Sequence, residues 1–92
     1  MVLISILGVT KIAWGVNLDN APDGLSYGYV EKDKAPGVTD LDVIMFLSIR
    51  GLTDSFAGLQ IAVGVGWPNQ FGPIKYRTQW HINNVWTEWQ EV

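Results

Sequence analysis

An all-β fold built from antiparallel strands is predicted for this chain by three observations. Short runs of β-branched and aromatic residues recur along it, and several of them alternate apolar and polar positions. Clusters of Gly, Pro, Asn and Asp stand between those runs. No segment sustains apolar residues at i, i+3, i+4 and i+7 with capping residues at its ends, so no helix is expected. The 92 residues make one domain, undivided by any internal repeat.

The elements follow in order. Residues 1–17 form an N-terminal strand and assembly segment. Residues 2–7 are rich in β-branched side chains, and residues 12–16 make a second short strand or continue the first. This apolar start is too short to cross a bilayer. Its first charge, Lys11, comes after the apolar run and not before it, so synthesis in the cytoplasm without a signal peptide is expected. Residues 18–92 form the main β domain. It opens on a turn cluster containing Asp19, Asn20, Pro22, Asp23 and Gly24.

Residues 25–31 alternate, with Leu25, Tyr27 and Tyr29 on one side. Residues 32–40 read as a solvated loop. In residues 41–49 the positions Val43, Met45, Leu47 and Ile49 share one face and Ile44 and Phe46 the other. Apolar residues on both faces predict a strand covered on both sides. A buried helix would share that apolar run, but its β-branched content and the flanking Asp40 and Gly51 favour the strand. In residues 59–65 one face carries Leu59, Ile61, Val63 and Val65. The other carries Gln60, Ala62, Gly64 and then Gly66, a nearly bare surface that permits close approach by another part of the structure. Residues 68–72 are read as a loop and residues 73–80 as an alternating strand. Residues 81–84 supply a turn, from which residues 85–92 pair back as a hairpin.

Composition narrows the function. Charged residues are 16% of the chain, against about 25% in an ordinary soluble domain. Hydrophobic residues are 48%, with five Trp. A chain this small cannot easily cover so much apolar surface with polar groups, so a subunit interface is expected. There is no Cys and a single His, His81. Disulfides and thiolate or His-cluster metal sites are therefore excluded, which leaves oligomerisation as the stabilising device. The net charge of −3 argues against nucleic-acid binding. The longest uncharged stretch, residues 55–74, holds four Gly and Pro68 and cannot be a membrane helix.

The C-terminal hairpin carries a recognisable pattern. The run Ile74-Lys-Tyr-Arg77-Thr78, a polar turn, and then Trp86-Thr-Glu-Trp89-Gln-Glu-Val92 resembles the end of the knob domain family of pyocin and phage tail fibres. Asn20-Ala21-Pro22, the apolar strand of residues 41–49 and the strand opening with Leu59-Gln60 fall in the matching order. After Gln60 the family favours aromatic residues where this chain has Ile61, Ala62 and Val63. The resemblance covers residues 18–92. It implies a small antiparallel β-sandwich or knob-like domain within a homotrimer. It also implies a virion location, other tail-fibre proteins as partners, use as a spacer or as part of a tip that faces a bacterial surface receptor, and no catalysis or cofactor. A stand-alone carbohydrate-binding module is the alternative function.

Candidate site residues fall in two groups. Trp67, Asn69, Gln70 and Phe71 combine aromatic rings and amides in a Gly-bounded loop, a composition suited to bacterial surface polysaccharide: rings stack on sugar C–H faces and amides bond hydroxyls. Tyr76, Arg77, Trp80, Trp86 and Trp89 are expected to anchor the hairpin or an interface, with Arg77 stacked on an indole. Trp86 and Trp89 lie three apart, so a regular strand would point them to opposite faces; a bulge or strong twist is needed to bring both inward. Residues 19–24 resemble the start of a calcium loop, but Ala21 and Val30 stand where oxygen ligands are needed, so a turn is expected. His81 lacks any nucleophile context. Asp40 and Asp42 flank the apolar strand and mark its solvent-exposed entry.

Overall fold

A computed structural model describes residues 9–12, 15–51, 57–80 and 85–92, the side chains of residues 9, 10 and 80 excepted. Strands make up 59% of the structure and no α-helix forms among the described residues. The all-β class predicted from sequence therefore holds.

One curled sheet carries the fold. Its strands are β1 (Val9–Lys11), β2 (Gly24–Glu31), β3 (Val43–Arg50), β4 (Ala57–Gly66), β5 (Gln70–Trp80), β6 (Val85–Trp86) and β7 (Gln90–Glu91). β2 to β5 run antiparallel in sequence order, and β1 lies parallel against β2 at the edge. Among the described residues the second layer comes from loops, two 3-10 turns (Leu18–Asn20 and Lys32–Lys34) and the C-terminal segment, not from a second sheet.

Several sequence expectations change. Residues 2–7 lie outside the described set. Of the strand proposed over residues 12–16, residues 13 and 14 lie outside the described set, and residues 12, 15 and 16 are not in a strand. The Ile12 N–H still donates to Tyr27 O (2.8 Å), and its side chain is buried in the core. The loop of residues 32–40 is only partly solvated: Ala35 and Val38 plug into the core. The loop expected at residues 68–72 shrinks to a turn at residues 67–69, because Gly66 pairs with Gln70 and Val65 with Phe71. The final strand is broken. β6 pairs with Gln79 and Trp80, β7 pairs with Lys75 and Tyr76, and residues 87–89 leave the ladder between them.

Register explains the core. Cross-strand partners share a face, so the sheet can be read as rows. On the inner face, Ser26, Ser48, Gln60 and Arg77 stand directly opposite one another across β2, β3, β4 and β5. The neighbouring inner row is Gly28, Phe46, Ala62 and Lys75. The bare side of β4 is where the second layer comes closest. A Cβ at Gly58 would lie 2.8 Å from Cη2 of Trp86, and one at Gly64 would collide with the Thr39 side chain. Leu18, Val30, Val38, Ile44 and Phe46 fill the remaining core.

Candidate functional site

Two surfaces emerge from this register, one closed within the chain and one left open. The closed surface is centred on Arg77. Its guanidinium carbon sits 4.6 Å from the ring centroids of both Trp86 and Trp89. The break after β6 makes this possible, since it carries Trp89 back over the same face as Trp86. Thr87 fixes the break by a reciprocal pair: its N–H donates to Thr78 O (2.8 Å), and the Thr78 N–H donates to Thr87 Oγ1 (3.0 Å).

Arg77 Nε donates to Gln60 Oε1 (2.8 Å), and Arg77 Nη2 pairs with Asp19 Oδ1 (2.8 Å). The amide of Gln60 is fully used, because its Nε2 donates to Leu18 O (2.8 Å) and to Ser48 Oγ (3.2 Å). Burial pushes the Arg77 pKa below its ordinary value, and the charge and hydrogen bond of Asp19 oppose that shift. Every polar group in this network therefore joins two elements, and together they tie the Leu18–Asn20 turn, β3, β4, β5 and the C-terminus. Asp19, suspected from sequence as the first ligand of a failed calcium loop, is the counter-ion of Arg77. Among the described residues no group of three or more His, Asp or Glu is placed to hold a metal.

The open surface is the outer face of the same sheet. Its rows read Leu25, Ile49, Leu59, Thr78; then Tyr27, Leu47, Ile61, Tyr76; then Tyr29, Met45, Val63, Ile74. None of these side chains is charged. Tyr27, Tyr29, Met45, Leu47, Ile61 and Ile74 are each between 38% and 53% exposed. The strand expected to be covered on both sides is thus covered on one: Ile44 and Phe46 are buried, while Met45 and Leu47 face solvent. The sequence shows the alternation plainly, but alternation does not say which of two apolar faces the chain itself will cover.

The loop residues singled out from sequence are separated. Trp67, 86% exposed, lines a shallow hollow with Tyr29, Val43 and Val65, at the end of the apolar face. Asn69, Gln70 and Phe71 line a different cleft, with Thr39, Asp40 and Lys75. Tyr76 lies on the outer face, where its hydroxyl meets Gln90 Oε1 (3.4 Å). Arg77, Trp86 and Trp89 come together on the inner face. Trp80 ends β5 opposite Ala57 and Val85, and its side chain is outside the described set, as is His81. Sequence reasoning missed Gln60 and Asp19 as partners of Arg77 and Ser48 as a partner of Gln60. The available signal was their spacing, since buried polar residues on one strand face need partners at matching register.

No protein-family profile, no curated protein and no solved structure matches the chain. Its functional reading therefore rests on its own residues and geometry.

Proposed function

We propose that the chain is a non-enzymatic structural and receptor-contacting module of a phage or phage-like tail fibre, working as a homotrimer in the virion or after release from the cell. The observation that carries this reading is the apolar outer face, whose three central rows on β2 to β5 carry no charge while Lys11 and Glu31 stand at its margins opposite Tyr27 and Val43. At roughly 150–250 Å² for a large aromatic side chain, its six most exposed residues leave on the order of 500 Å² of apolar surface open. That matches the largest patch on a typical monomer, about 300–600 Å², and such patches are often functional. The half-buried Leu25, Val43, Ile49, Leu59, Val63 and Val65 extend it towards the ~800 Å² per partner of a standard interface. The central rows, free of charge, also meet their own copy without repulsion or desolvated ions. The resemblance of the C-terminal hairpin to tail-fibre knobs supplies the trimeric arrangement and the setting.

Light scattering on the purified chain tests this. A mass three times the 10.2 kDa chain is expected. A sharp monomer at micromolar concentration would refute the assembly. A stand-alone carbohydrate-binding module is the second reading, favoured by the polar cleft that gathers Asp40, Asn69, Gln70 and Lys75.

A further inference from the structure

On the other side of the sheet from Tyr27 and Leu47, a cleft of about 660 Å³ separates the loop at residues 38–41 from the start of β5. We propose that this cleft binds a neutral saccharide segment through Asp40, Asn69, Gln70 and Lys75. The inference rests on the receptor-contacting half of the reading above and is independent of its assembly half. Copies meeting through the outer face would leave the cleft open.

Its size falls within the roughly 300–1,000 Å³ of small-molecule sites. Its walls are already fixed. Val38 is buried, its N–H donating to Ala35 O (3.3 Å), and Thr39 Oγ1 accepts the Leu41 N–H (2.9 Å). Thr39 also stands against Gly64, where no Cβ could fit. Lys75 Nζ donates to Gly37 O (2.9 Å), which holds the ammonium at one end of the cleft with donors to spare. Preformed walls lower the entropic cost of binding.

The chemistry selects hydroxyls. Each amide offers donors and an acceptor, the Asp40 carboxylate offers acceptors only, and Lys75 offers donors only. A sugar hydroxyl both donates and accepts, so it can use all four groups. Charge argues for a neutral ligand. Asp40 and Lys75 balance each other, and Glu91 stands directly opposite Lys75 on β7. No positive excess remains to hold a phosphate, sulfate or uronate.

The test is an NMR titration of isotope-labelled full-length protein, following the side-chain amide signals of Asn69 and Gln70. The probes are methyl α-glucopyranoside, methyl α-mannopyranoside, N-acetylglucosamine, maltotriose and sialyllactose. Saturable shifts of those signals are expected with at least one neutral probe, at millimolar affinity. The double substitution Asp40→Asn with Asn69→Ala should weaken that probe at least about tenfold, while Trp67→Ala, outside the cleft, should not. Absence of saturable shifts with every neutral probe, shifts indifferent to the double substitution, or tighter binding of sialyllactose than of any neutral probe would each overturn the site. Light scattering on the same sample separates the two ideas. A trimer that binds no sugar rejects the cleft alone, and a monomer that binds sugar rejects the assembly alone.

Discussion

The two faces of this sheet reverse the usual distribution. The inner face carries Ser26, Ser48, Gln60, Arg77 and three Gly of β4, yet it is the buried one. The outer face carries Tyr, Met, Leu, Ile and Val, yet it stands open. Small and polar residues are buried because a second layer of loops can approach a thin surface closely and because Ser48, Gln60 and Arg77 find partners there. Large apolar residues are left uncovered because the described residues supply one sheet and no second one to pack on it. The lesson is that one domain can bury its more polar sheet face and leave its more apolar face open.

Substitutions on the two faces should therefore separate folding from association. The largest loss of stability is expected for Arg77→Ala. It removes two cation–π contacts of about 0.5–2 kcal/mol each and orphans Gln60 Oε1, for a total of about 3–4 kcal/mol in chemical denaturation. A stability unchanged by this replacement would break the comparison at its centre. Gln60→Leu comes next, at about 2–3 kcal/mol, because Leu18 O and Arg77 Nε lose a buried partner at once.

Gly64→Ala should cost about 1–3 kcal/mol by overpacking against Thr39. The same replacement would be nearly harmless if the bare side of β4 faced solvent. The smallest change in folding stability, within about 0.5 kcal/mol for the isolated chain, is expected for Leu47→Ser on the outer face. That substitution should instead weaken association, read as a fall in mass on dilution that the parent chain does not show. Loss of fold without loss of mass in Leu47→Ser would reverse the assignment of the two faces.

Much of the sheet was legible in the sequence. The strands at residues 25–31, 41–49, 59–65 and 73–80 follow from alternation and turn residues, and each overlaps an observed strand. The bare face of β4 could be read from Gln60, Ala62, Gly64 and Gly66 before its occupants were known. What could not be read is long-range. Thr39 and Trp86 fill that face from segments far along the chain, and alternation within one strand carries no record of them. The polar row of Ser26, Ser48, Gln60 and Arg77 was hidden for the same reason, since cross-strand register decides it. In the loop, composition suggested one aromatic and amide platform. Continued pairing of β4 with β5 instead sent Trp67 and Asn69 to different hollows.

The broken C-terminal ribbon also limits how the domain can grow. A long exposed border strand invites another chain to zip alongside it. Here β6 and β7 each cap a short stretch of β5, the Val92 N–H donates to Ile74 O (3.0 Å), and Pro73 removes a donor from what remains. Side-by-side extension into an endless ribbon is blocked along that margin, so copies that meet flat against flat can close into a finite cluster.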